Sequence, residues 1–229
     1  MLSGAHPITE TKTEIKLSHS FLSNWRQCPR KAWHVNIARD VPREDSVHMA
    51  WGRKVHEALD KYLKKDEPLP YELRHYEQLY DFPLGYFVET ELKLGMTIES
   101  EPCDFLDEHV WLRGIIDVVL TSNSSDDMAI LIDHKTGRVR EDPEELLIHA
   151  LLLQTHRPDL DRIKGWYNWL KELRMGKVHD LSDTNATYSR LVNEYDKLVR
   201  CNALGEPAFA PQQGPLCGWC PVKQCEFHP

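Results

Sequence analysis

An α/β fold with one mixed β-sheet flanked by helices is what this sequence predicts. Three features carry the prediction. Helical segments open the chain, the apolar period then changes to two and two further β-type runs follow, and after them come a helix, a further strand and a long helix. At 229 residues, with 41 % hydrophobic and 28 % charged residues, the chain has ordinary globular composition and can bury a core without disulfides. Residues 1–16 are polar and expected to be disordered, and residues 17–229 to form a single domain.

Taken in order, LSHSFLSNWRQCPRKAWHVNIA reads as a helix, with Ser18 or Ser20 as N-cap and Phe21, Leu22 and Trp25 at core spacing. SVHMAWGRKVHEALDKYLKK is a second helix with Val55, Leu59 and Tyr62 on one stripe, Ala58 beside it and His56 at its margin, ended by DEPLP. In FVETELKL, Val88, Thr90, Leu92 and Leu94 alternate with Glu89, Glu91 and Lys93, which predicts a strand. HVWLRGIIDVVLTS is the next strand, with Gly114 marking a bulge or a close approach. SNSSDD is a turn, and MAILIDHK is a third strand apolar enough to be covered on both faces. DPEELLIHALLLQTH begins a helix with cap chemistry at Asp142 and Pro143, RIKGWYNWL is a fourth strand, and a long helix runs from about 184 to 204. The order helices, three strands, helix, strand, helix implies one mixed sheet.

No run approaches the length of a membrane span, and MLSGAHPITETKTEIK lacks the apolar core of a secretory signal, so a cytoplasmic protein is expected. The net charge of −8 argues against phosphate binding by bulk charge, but a carboxylate-lined metal site is acidic by necessity and a bound cation inverts its field. Arg26, Arg30, Lys31, Arg39 and Arg43 cluster early, with Arg53 and Lys54 after them, either as a solvated face or as a local basic patch.

Six cysteines are present, three of them in CGWCPVKQC near the C-terminus: Cys217, Cys220 and Cys225. In a reducing compartment such spacing favours a metal or cluster over a disulfide. Cys28, followed by Pro29, is the natural fourth ligand, whereas Cys103 and Cys201 read as buried thiols. Zinc and a [4Fe–4S] cluster both accept four cysteines. Either one would tie the two ends of the chain across a loop of roughly 190 residues, worth on the order of 5 kcal/mol in the cross-link entropy picture.

The acidic residues form a second pattern. Asp117 ends RGIID and Asp133 ends AILID, separated by a strand–turn–strand of hairpin length. If those strands pair, the two aspartates meet at one edge of the sheet, and Lys135, two residues beyond Asp133, points to the same side. One lysine does not neutralise two buried carboxylates, whereas a hard divalent cation does. His134 alternates away from its neighbours, so that it would offer its backbone carbonyl rather than its ring.

Together these segments resemble the PD-(D/E)XK nuclease superfamily, and within it the RecB-like exonuclease branch that carries a four-cysteine iron–sulfur cluster. That branch includes CRISPR-associated RecB-like nucleases, the AddB nuclease domain and phage exonucleases. The resemblance runs from about residue 17 to the C-terminus through LSHSFLSNWRQCPRKAW, GRKVHEAL, RGIIDVVL, LIDHKTG and CGWCPVKQC. It implies a restriction-endonuclease-like sheet, with Cys28 and residues 205–229 holding the cluster through Cys28, Cys217, Cys220 and Cys225. It further implies that His56, Asp117, Asp133 and the His134 carbonyl hold Mg²⁺ or Mn²⁺ and that Lys135 serves the attacking water. The strand glutamate of the family falls on Glu89 or Glu91, which alternation puts on one face, with Glu89 favoured. The Q-x-x-x-Y of the following helix is met by Gln154 but has Pro158 in place of its tyrosine.

The implied activity is metal-dependent hydrolysis of DNA, by an exonuclease of recombination, repair or phage DNA metabolism acting in the cytoplasm of a bacterial or phage-infected cell. DNA, single-stranded or with a free end, is the implied partner; the oligomeric state is left open. The alternatives are a CRISPR-adaptation nuclease and a DNA-binding scaffold of the same fold with little catalysis.

Overall fold

A computed structural model describes residues 15–42, 46–82, 85–122 and 125–229. Most of the segment expected to be disordered lies outside the described residues, but its last two residues are ordered. Ile15 is buried in the main core, and Lys16 Nζ donates to the Asp107 carbonyl at 2.8 Å.

The first helix is not continuous. Ser18 caps α1 (His19–Gln27) by accepting from the Phe21 N–H. The chain then breaks at Cys28, which is extended at φ −163 and ψ 110, before α2 (Pro29–Ala32) and a wide helical turn over Trp33–Ala38. A proline excludes the residue before it from the helical region and itself suits a first helical turn, so the Cys28–Pro29 pair ends one helix and starts the next. Ser46 caps α3 (Val47–Leu63), which buries Val55 and Leu59 as the stripe predicts.

One sheet follows, in the order β2-β1-β3-β4-β5-β6 with β7 on β5. Its strands are β1 (Tyr86–Met96), β2 (Pro102–Cys103), β3 (Leu112–Ser122), β4 (Ser125–Lys135), β5 (Arg162–Trp169), β6 (Arg174–Met175) and β7 (His179–Asp180). β1, β3 and β4 are antiparallel, whereas β5 runs parallel to β4 and is reached through α4 (Glu144–His156). The tip of the predicted SNSSDD turn, residues 123 and 124, lies outside the described residues. The two-residue strands were beyond any reading of periodicity, since two positions define no alternation.

Helix α4 is apolar on nearly every side because the sheet covers one flank while α1 and α5 (Thr184–Leu204) cover others. Gly114 on β3 is the close approach anticipated for it: a Cβ there would stand 2.9 Å from Leu152 Cδ1 and 3.1 Å from His149 Cδ2 of α4. The opposite face carries α3 and the turn Tyr71–Leu79, packed through Leu63 and Phe82 on Val118, Leu120 and Ile132.

Two members of the early basic cluster, Arg26 and Arg30, brace the fold. Arg26 bonds Glu144 and also Glu194, the latter at 2.7 Å, Arg190 bonds Glu144, and Arg30 reaches Glu206 and the Phe209 carbonyl, both at 2.9 Å. Arg43 lies outside the described residues. Burial raises the Glu144 carboxyl, but the two arginines more than reverse this and hold it below the usual carboxylate range. A carboxyl depressed in the folded state adds stability that is complete above its unfolded value and is lost as pH falls through its folded value. Glu144→Gln should therefore be less stable than wild type at pH 7, with the gap closing below about pH 4. Urea unfolding of both proteins across that range checks this, and a gap independent of pH would contradict it.

Candidate metal centre at the fork of the sheet

The β3–β4 ladder ends at Val118–Ile132, so the next residues in register, Asp117 and Asp133, face each other where the strands part. β4 stays paired with β5 as far as Lys135–Trp169, and the fork therefore opens on one flank of β4 only. Asp117 Oδ2 fills the lost ladder position by accepting the His134 N–H at 2.7 Å. Because the N–H and C=O of one strand residue point to the same flank, the His134 carbonyl faces the fork as well. Its ring turns the other way, as alternation requires, and lies 3.2 Å from the Tyr80 hydroxyl through Nδ1.

Across the other seam, β1 and β3 change faces together. Val88 packs with Val118 and Leu120 under α3, whereas Leu92 and Leu94 join Ile116 and Leu112 under α4. The switch falls at the facing positions Glu91 and Asp117, and Glu91 has φ 50, in the left-handed region. A glutamate there is strained, and the strain delivers its carboxylate to the α3 side of the sheet. Helix α3 supplies the third group: Gly52 passes so near β4 that a Cβ would stand 3.3 Å from Thr136 Oγ1, and His56 follows one turn later. Ligand atoms of His56, Glu91 and Asp117 all lie within 4.8 Å of one another. His56 Nδ1 is 3.4 Å from Asp117 Oδ1.

Electrostatics mark the same place. Burial raises the Asp117 carboxyl, but the His56 hydrogen bond, the charges of His134 and His56 and the His134 N–H bring it down to about 2. Burial, then Asp117, raises Glu91. Asp133 is pushed well above its ordinary value by burial, with Asp117 and Glu145 adding to the rise against Lys135. Its Oδ2 is buried and paired with Lys135 Nζ at 2.6 Å. A trio of carboxylate and imidazole donors at the fork that Asp133 also borders fits a divalent cation.

These observations accompany a direct match: the family model of the PD-(D/E)XK nuclease superfamily matches residues 82–225. The chain belongs to the PD-(D/E)XK nuclease superfamily. Its α/β architecture, a mixed central sheet with helices on both faces, agrees with the restriction-endonuclease-like fold of that superfamily. No curated protein matches the chain. Among solved structures, the one titled "Crystal structure of SSO0001" aligns over 96 % of this chain and 89 % of its own at 15 % identity and a TM-score of 0.47, a likeness too slight to argue from. Among the described residues no helix is long and apolar enough to cross a membrane.

Within this nuclease-superfamily chain, the residues singled out from the sequence divide. Asp117, Asp133, Lys135 and His56 converge on the fork, and His134 contributes its backbone. Glu89 does not: with the pleat reversed at Glu91 the two glutamates part, and Glu89 pairs with Arg157 at 2.6 Å on the α4 side. The alternation rule failed because it assumes an unbroken pleat. Gln154 also lies elsewhere. Its Nε2 donates to the Leu160 carbonyl at 2.8 Å and its Oε1 accepts from Thr184, so it braces the end of α4 against α5.

Three residues were not anticipated. Glu145 meets Lys135 Nζ at 2.5 Å and His19 Nδ1 at 3.2 Å, and His149 is buried one turn further along α4. A glutamate in the first turn of a helix reads as dipole complement, and a histidine in an apolar run as core, so neither carried a signal. Cys28, Cys217, Cys220 and Cys225 line one cavity of about 500 Å³, all as free thiols. The Gln212 N–H points at Cys28 Sγ at 3.4 Å and the Gly214 N–H at Cys217 Sγ at 3.3 Å.

The backbone strain at Glu91 is separable from its chemistry. Glu91→Gly should be more stable than Glu91→Ala by about 1 kcal/mol, because only glycine accepts the left-handed region freely. That order is the reverse of the one expected inside a regular strand. Denaturant unfolding of the two variants decides it, and alanine as the more stable would show that the strain is absent.

Proposed function

We propose that this chain is a divalent-metal-dependent deoxyribonuclease acting from DNA ends, an exonuclease of the RecB-like branch. The observation that carries the reading is the convergence of His56, Glu91 and Asp117 at the fork where Asp133 and Lys135 emerge. In this reading Asp117, Asp133, Glu91, His56 and the His134 carbonyl hold Mg²⁺ or Mn²⁺, with the imidazole favouring Mn²⁺. A divalent ion bound there polarises the phosphodiester and makes hydroxide accessible near neutral pH.

The chain's own groups do the rest. Burial would lower Lys135, but Asp133 and Glu145 keep it protonated well above the neutral range. Its ammonium orients the attacking water and offsets charge growing on the phosphate. His134 holds Asp117 through its N–H, and Gly52 lets α3 bring His56 within reach.

The four cysteines take a [4Fe–4S] cluster in this reading. Their shared cavity and the two N–H groups aimed at sulfur support it, since such contacts stabilise cluster thiolates. Zinc at the same cysteines is the alternative, and a brown protein with broad visible absorption separates the two. The RecB-like resemblance points to recombination, repair or phage DNA metabolism, with CRISPR adaptation as the alternative.

The test is digestion of end-labelled single- and double-stranded DNA by anaerobically purified protein. Release of short products in Mg²⁺ or Mn²⁺, abolished by EDTA, is expected. DNA that is bound but left intact under both ions would establish a scaffold instead.

A further inference from the structure

Lys135 is useful only if its ammonium is aimed, and a lysine has a long and flexible stem. The structure holds it between two carboxylates: Nζ lies 2.6 Å from Asp133 Oδ2 and 2.5 Å from Glu145 Oε2. The other oxygen of Glu145 faces His19 Nδ1 at 3.2 Å. Tyr167 of β5 closes the remaining side, with Nζ 5.3 Å from its ring centroid.

Each support stands on a rigid element. Glu145 lies in the first turn of α4, between the Glu144 ion pairs to Arg26 and Arg190 and the buried Leu146. Tyr167 ties that turn to the sheet by donating to the Asp142 carbonyl at 2.7 Å. His19 opens α1, next to the capping Ser18.

We propose that Glu145, braced by His19, is a positioning residue that clamps Lys135 and aims its ammonium beside Asp133. The inference rests on the nuclease reading above and adds to it what aims the lysine. Nothing in the clamp requires Glu145 to touch metal or substrate.

The test compares full-length Glu145→Gln, His19→Ala and the double variant with wild type in two independent measurements. The first is the rate at which a water-soluble acetylating reagent modifies Lys135, read by peptide mass spectrometry without added metal. Acetylation several-fold faster in Glu145→Gln, and faster to a lesser degree in His19→Ala, is expected. The second is kinetics on end-labelled DNA together with calorimetric Mn²⁺ affinity. For Glu145→Gln, kcat should fall on the order of a hundredfold. Its KM and Mn²⁺ affinity should stay close to wild type. The double variant should be no slower than Glu145→Gln alone, because His19 acts through Glu145.

Unchanged acetylation of Lys135 in a Glu145→Gln protein with a normal unfolding midpoint overturns the clamp. So does wild-type kcat in that variant, and so does loss of Mn²⁺ binding, which would make Glu145 a ligand. If wild type cuts no DNA while acetylation rises as expected, the clamp stands and the nuclease reading falls.

Discussion

Asp133→Asn lowers the rate of DNA hydrolysis by about a thousandfold or more while leaving the metal-free protein as stable as wild type or more so. The two halves of this expectation have one cause. Asp133 is a buried carboxylate raised well above its ordinary value by burial and by Asp117 and Glu145, which outweigh its pairing with Lys135 at 2.6 Å. Such a group is a cost to the empty fold that one lysine offsets only in part. An amide removes the charge that suffers and the ligand that works. Relief of about 1 kcal/mol is expected without metal. Mn²⁺ should then raise the melting temperature of wild type but not of the variant, because only a ligand that binds the native state stabilises it. Asp117→Asn should match the activity loss but not the stability gain, since Asp117 is well served by His56 and the His134 N–H. Wild-type activity in either variant would refute the assignment of the site.

Cys28→Ser, or Cys220→Ser, abolishes the visible absorption expected of anaerobically purified protein and frees the chain beyond Phe209 to protease. The boundary follows from what anchors the tail without the cysteines. Phe209 is fully buried against the rings of Trp25 and Trp33, and Arg30 holds its carbonyl. Past that point the described contacts to Cys28 run through Gln212 and the cysteine cavity. A cluster lost on unfolding stabilises by its binding free energy, so the serine variants should also unfold at lower denaturant than the loaded wild type. Limited proteolysis with mass analysis reads the boundary. A tail equally protected in the serine variant would show that the cysteines hold nothing.

Much of the architecture was legible before the structure because it depends on local periodicity. The β-type patterns of β1 and β3 and the apolar run of β4 announce strands, and the stripe of Val55 and Leu59 states which face of α3 is buried. Their order alone requires a crossover between β4 and β5. Asp117, Asp133 and Lys135 were legible too, since hairpin distance and a two-residue spacing survive any reasonable register. The break at Cys28–Pro29 was written in the proline and was overlooked by reading the apolar pattern alone.

The rest was decided by tertiary structure. Glu91 displaces Glu89 because β1 and β3 reverse their pleat together, a change that no single-strand pattern encodes. His19 meets Glu145, the partner of Lys135, only because α1 and α4 pack on the same face, 126 positions apart in the chain (145 − 19). Gln154 is drawn to Leu160 and Thr184 by the end of its helix. Sequence by itself determined which strands exist and which acids end them, because those follow from a residue's immediate neighbours. Only the folded chain decided which carboxylates share the fork, because that depends on where one pleat turns over and which helices cover it.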